Sequence, residues 1–173
     1  MWWFKTLLIG IMLWNSNPET EDWVHIRTKQ NITFLFPSRG EQTKQDAGQL
    51  KAWIYRTGNA DCIFSVVCTP ATLSQGSLSG AQVQRIYNEM RDGSVDMPDT
   101  ELKEEKRIPA EGMYIRQICY TVTSAEQEYT YYKRFIFRGN YIYQLTIGGK
   151  SANLPEWRPQ IARFFDSVAF SNE

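Results

Sequence analysis

Residues 129–150 read YTYYKRFIFRGNYIYQLTIGGK, two ring-rich arms around the pair Gly139-Asn140. Rings and cations are so closely interleaved that the stretch reads either as a ligand platform or as the interior of a sheet. Glycine and asparagine between runs of Tyr, Phe and Ile mark a β-hairpin. Its register decides which side chains share a face, because a slip of one residue turns every side chain over. A loop of two residues, Gly139 and Asn140, sets Arg138 opposite Tyr141 and scatters apolar side chains over both faces. A loop of three, Arg138 to Asn140, pairs Phe137 with Tyr141, Phe135 with Tyr143, Lys133 with Leu145 and Tyr131 with Ile147. The three-residue loop makes one face almost wholly apolar and is the expected register, with Asn140 in the left-handed conformation such a loop needs. The opposite, mixed face then carries Tyr132, Arg134 and Gln144, continued by Tyr114 and Arg116 of the preceding strand. These five are the binding candidates. Nucleic-acid platforms place rings and cations together on an exposed face, whereas here most rings turn inward.

The rest of the chain narrows the classes. At 173 residues it makes one domain, large enough to bury roughly 70% of the surface its unfolded chain exposes. Nineteen Lys and Arg balance nineteen Asp and Glu, so no long-range field of one sign gathers nucleic acid or anionic lipid. No nucleic-acid partner is expected.

Residues 1–17, MWWFKTLLIGIMLWNSN, have the outline of a secretory signal: one lysine, then the apolar run Thr6 to Trp14, then polar residues. That run is far short of the ~20 residues of a bilayer span. Against a signal, the tryptophans precede the lysine, and LWNSN lacks the small residues a signal peptidase prefers. The rival readings are an interfacial anchor, with Trp2, Trp3 and Trp14 at headgroup level, and a segment packed on the domain. No cysteine follows the run, so there is no thiol for a bacterial lipoprotein anchor to acylate. Residues 18–22 form a polar linker, and 23–170 the globular domain. Cys62 and Cys68 stand on one strand about 20 Å apart at ~3.3 Å per residue, so they cannot bond to each other. Cys119 could reach either across strands, but the three read as buried free thiols acting as small apolar residues.

Val24, Ile26, Ile32, Phe34 and Phe36 alternate with polar residues, giving two short strands or one broken strand. Residues 38–48, SRGEQTKQDAG, read as loop. Residues 49–69 give two strands joined through Gly58 and Asn59, with Trp53 and Tyr55 alternating against Leu50, Ala52 and Ile54, as in a sheet covered on both sides. Ser79 and Gln82 make a capping box, followed by Val83, Ile86, Tyr87 and Met90 on one helical stripe that Gly93 ends. The charge run Glu101 to Arg107 reads as an edge strand protected from further pairing, then a turn near Pro109 to Gly112 and a long apolar strand. Trp157, Ile161, Phe164 and Val168 trace a closing helix with prolines near its start, though Pro159 lies too deep for one beginning at Asn153. Strands, helix, strands and helix joined by hairpins give an α+β fold, an antiparallel sheet flanked by helices.

Familiar catalytic motifs are missing. The single histidine, His25, excludes His-pair metal sites. Leu78 stands where a nucleophile elbow needs serine, and no Walker loop, dinucleotide turn or calcium loop occurs. A Cys62–His25 pair is the remaining nucleophilic arrangement, against which an isolated histidine on an alternating strand is ordinarily a surface residue. Glu104 and Glu105 point to opposite faces of a strand and share no acid–base task. Asn31-Ile32-Thr33 matches a glycosylation sequon where a strand begins. No catalytic residue, metal site or cofactor is expected.

The segments ITFLFP (32–37), SGAQVQRIYNEM (79–90), YKRFIFRGNYIYQLTI (132–147) and FFDSVAF (164–170) together resemble the PsbP-like superfamily. That superfamily includes the extrinsic photosystem II subunit, a Ran-binding nuclear transport factor and many exported bacterial proteins of unknown role. The resemblance spans residues 23–170 and rests on packing patterns. It implies an α/β/α sandwich and a non-catalytic binding or accessory role. Neither manganese-cluster function nor a Ran-binding surface carries over, because no matching residues occur. The sequence thus leads to an exported, periplasmic or secreted, accessory or binding module whose protein or small-molecule partner no residue names. The alternatives are a membrane-surface protein held by residues 1–17 and a hydrolase-type enzyme of unrecognised kind.

Overall fold

A computed structural model describes residues 23–47, 50–59, 61–71 and 78–171. The expected signal and linker, residues 1–22, lie outside the described residues. The first hairpin pairs β1 (Val24–Arg27) with β2 (Ile32–Phe36), and β2 also takes β10 (Ala169–Phe170) on its other edge. The larger sheet has seven strands in the order β3-β4-β5-β9-β8-β7-β6, all antiparallel. Its strands are β3 (Glu41–Ala47), β4 (Leu50–Gly58), β5 (Cys62–Pro70), β6 (Thr100–Ile108), β7 (Tyr114–Ser124), β8 (Gln127–Arg138) and β9 (Tyr141–Lys150).

Helices α1 (Gly80–Val95) and α2 (Leu154–Asp166) cover opposite faces of this sheet. On one face Val83, Tyr87 and Met90 of α1 pack on Ile118, Tyr120, Tyr131, Phe135, Phe137 and Ile142. On the other, Ile32, Phe34 and Phe36 of β2 and Trp157, Phe164 and Phe165 of α2 pack on Phe64, Val66, Ile136, Tyr143, Leu145 and Ile147. The result is an α/β/α sandwich whose second layer is a helix plus a small sheet.

The local signals act where expected. The Ser79 hydroxyl accepts from Gln82 N at 3.4 Å while the Gln82 side chain accepts from Ser79 N at 2.8 Å, closing the capping box. The helix continues through Gly93 to Val95 instead of ending there, because Ser94 is buried and its hydroxyl donates to the Met90 carbonyl. Residues 41–47, read as loop, form the edge strand β3, since an edge needs no apolar face of its own. Pro159 does lie inside α2. It removes one helical hydrogen bond, and the burial of Trp157, Phe164 and Phe165 offsets that loss.

The principal correction is to the long hairpin. Arg138 pairs with Tyr141, Ile136 with Tyr143 and Arg134 with Leu145, the register of the two-residue loop. The left-handed residue is Gly139, at φ 53°, and not Asn140. Sorting apolar residues onto one face misled because the sheet is covered on both: Phe135 and Tyr143 are each buried, on opposite faces.

Candidate functional site

The register divides the five candidate residues. Tyr114, Arg116 and Gln144 lie on the α1 face, in line with Phe137 and Phe135, whereas Tyr132 and Arg134 lie on the α2 face, in line with Ile147 and Leu145. The single mixed face expected from the sequence does not exist.

On the α1 face the polar groups close on one another. Tyr114 donates to Gln84 at 2.7 Å and accepts from Arg116 Nε at 2.9 Å. Glu105, from β6, accepts from the Tyr87 hydroxyl at 2.7 Å and from Arg91 at 3.3 Å, with Arg116 at 3.8 Å. Burial, then the hydrogen bond to Glu105, pushes the Tyr87 hydroxyl well above the ordinary tyrosine range. Arg116 also lies over the Tyr87 and Tyr114 rings at 5.4 and 5.6 Å. This is a cross-brace from α1 to the edge of the sheet. Deeper on the same face, Lys133 donates to Ser94 at 3.0 Å, between the rings of Tyr120 and Phe135. Burial lowers its pKa to about 8.

On the α2 face Tyr132 sits edge-on to Trp157 at 6.2 Å, and burial raises its hydroxyl above the ordinary range. Arg134 is held more firmly. Its Nε and Nη2 donate to Gln117 Oε1 at 3.1 and 2.9 Å, its Nη1 donates to the Phe165 carbonyl at 3.1 Å, and its guanidinium lies 4.4 Å from the Phe165 ring centroid. Burial lowers its pKa, and the nearby charge of Asp166 works the other way. Both acceptors are neutral, and no described carboxylate comes within salt-bridge distance of it.

Arg134 opens onto a cleft of about 330 Å³ between α2 and strands β6 to β8. The strands contribute Lys106, Gln117 and Arg134, and the helix contributes Arg158, Ile161, Phe165 and Asp166. The four charged groups are therefore three cations and one carboxylate, in a chain whose charges balance overall. Arg158 makes no ion pair within the described residues, while Lys106 meets Glu104 at 3.2 Å. A smaller dent of about 150 Å³ lies between β1, β2 and the start of β3.

Of the sequence candidates, only Arg134 lines the cleft. Lys106 was visible as part of the charge run, but Gln117, Arg158 and Asp166 carried no signal, since only the packing of α2 brings them to the strands. His25 is exposed on β1, and Cys62, Cys68 and Cys119 are buried. Burial pushes the Cys68 thiol up to about 12.

No family model matches the chain, and no curated protein does. Solved structures do. The solution structure of cyanobacterial PsbP (CyanoP) from Synechocystis overlays with a TM-score of 0.59 at 12% identity, over 94% of this chain and 100% of that one. The fold is PsbP-like. The protein of unknown function PA94 from Pseudomonas aeruginosa shares this PsbP-like path with a TM-score of 0.53 at 16% identity, over 87% of this chain and 99% of that one. At these identities the likeness fixes the course of the backbone, and the side chains in the cleft must be read for themselves.

Proposed function

We propose that the protein is a non-catalytic accessory or binding protein that acts after export, with the α2 cleft as its binding surface. The carrying observation is Arg134: a guanidinium fixed in place by neutral acceptors, with no contacting carboxylate, at the wall of an open cleft. Immobilising it before a ligand arrives reduces the entropy lost on binding. The non-catalytic reading is supported by the reactive groups: the thiols are buried, burial raises the pKa values of Cys68 and Cys119, and His25 is exposed on β1. The PsbP-like fold is consistent with such a role. Export rests on residues 1–17, a lysine and a short apolar run.

Fractionation of the native cell with N-terminal sequencing tests the reading. An extracytoplasmic protein whose chain starts near Asn17 is expected. A chain that keeps Met1 and sediments with membranes contradicts cleavage and favours the tryptophan anchor. Turnover of generic ester or peptide substrates that is lost on replacing His25 or Cys62 would contradict the non-catalytic role.

A further inference from the structure

We infer that the α2 cleft binds an oxyanion, the carboxylate or phosphate group of a small organic ligand. The inference rests on the cleft being the binding surface and adds the chemistry of what it takes. Arginine carries five N–H donors. Three of those on Arg134 are engaged by Gln117 and Phe165, which leaves one on each terminal nitrogen. A fork of this kind matches carboxylate or phosphate oxygens, which accept charge-assisted hydrogen bonds from it. Stacking on Phe165 fixes the plane of the guanidinium, so the donors are oriented in advance.

The surroundings select sign and size. Arg158 on α2 and Lys106 on β6 line the same cleft, and Asp166 is the one carboxylate among its lining residues. A metal cation would meet three positive groups, so the cleft is built against it. Ile161 and Ala162 supply apolar surface for a short carbon skeleton, and about 330 Å³ falls at the small end of ligand pockets. Phe165, the one ring among the lining residues, is buried beneath Arg134 and offers no platform for bases, which is why a small anion is chosen over a polymer.

The test is an NMR titration of the full chain with inorganic phosphate and, separately, with butyrate, at constant ionic strength maintained with chloride. Saturable shifts at the Arg134 Nε–H and at the amides of Arg158 and residues 160–166 are expected with at least one of the two. The arm that saturates at lower concentration distinguishes phosphate from carboxylate chemistry. Arg158→Ala, on an exposed side chain, is expected to weaken binding about 5-fold, the size of one modest charge contact. Asp166→Asn removes the competing negative charge and is expected to tighten binding about 3-fold. Arg134→Lys keeps a charge but loses the fork and is expected to weaken binding about 10-fold. Shifts that are absent, or that chloride reproduces, overturn the inference, as do affinities indifferent to both Arg158→Ala and Asp166→Asn. If Arg158→Ala loses a native partner in co-purification while neither anion titrates, the oxyanion inference fails and the cleft remains a binding surface.

Discussion

The two faces of the seven-stranded sheet carry similar residues and use them differently. Under α1, Arg91 and Arg116 end on Glu105, and the Tyr87 and Tyr114 hydroxyls are consumed by the brace they form. Under α2, Arg134 ends on an amide oxygen and a backbone carbonyl, and its charge meets no carboxylate in contact. Rings beside cations therefore do not identify a binding surface. What separates a brace from a site is whether the charge is already neutralised and whether space remains in front of it.

The largest expected effect breaks the α2 face. Trp157 is fully buried, packs on Tyr132 and donates to the Lys150 carbonyl at 3.2 Å. Trp157→Ala should cost about 3–5 kcal/mol, lowering the melting temperature by on the order of 10 °C and abolishing the cleft with it. Calorimetry on the purified chain checks this. A loss below about 1 kcal/mol would mean that α2 is not held by this ring.

The next breaks the α1 brace. Glu105→Ala leaves the buried Tyr87 hydroxyl and the Arg91 guanidinium without their shared acceptor. A cost of about 1–3 kcal/mol is expected in urea unfolding. Glu105→Gln, which keeps an acceptor, should recover part of it. Equal effects of the two variants would show that the charge matters and the hydrogen bond does not.

Lys133 gives a prediction with a pH signature. Its pKa is about 8 folded and about 10.4 unfolded. Below pH 8 both states are protonated, and the fold bears the full cost of a buried cation. Between about pH 8 and 10.4 the unfolded state binds the extra proton, so this residue's contribution to stability rises with pH. Lys133→Met should therefore stabilise the protein at pH 7 by about 1–2 kcal/mol, and the gain should shrink as the pH climbs towards 10. Melting curves of the two proteins at pH 7, 8, 9 and 10 measure the difference. A gain that does not change with pH contradicts the buried ammonium. Comparing variant with wild type at each pH cancels the cysteines and tyrosines, which titrate in the same range.

How much of this was legible in the sequence follows from what each element buries. The capping box at Ser79 and the stripe Val83, Tyr87, Met90 are local signals, and they produced α1, which runs past Gly93 to Val95. The charged edge strand β6 was legible for the same reason. Strand β3 was not, because its composition, EQTKQDA, matches a loop and only its pairing with β4 makes it a strand. The turn between β7 and β8 was equally silent: Ala125 and Glu126 take φ of 48° and 65° without the glycine or asparagine that usually announces such a turn. The hairpin register failed on a physical point. Period-two alternation fixes register only when one face is wet, and here Phe135 rests under α1 while Tyr143 rests under β2 and β10. The cleft was legible in one residue of its charged set beyond the charge run, Arg134, because Arg158 and Asp166 come from a helix that only the tertiary fold lays beside it.

The smallest stability effect is a control on the comparison. Arg158→Ala, at an exposed cleft residue, should change stability by less than about 0.5 kcal/mol, whereas Arg116→Ala, which removes a partner of Tyr114 and Glu105, should cost about 1 kcal/mol. Thermal denaturation of the pair suffices. Equal losses would erase the distinction between brace and site.

The assignment of Arg134 and Arg116 to opposite faces depends on the pairing of β7 with β8. Carbon-edited NOE spectroscopy of the labelled chain measures it most directly. Cross-strand contacts linking Tyr114 to Phe137 and Ile115 to Ile136 are predicted. Contacts linking Tyr114 to Ile136 and Ile118 to Tyr132 would contradict it, and would return Arg116 and Arg134 to a single shared face.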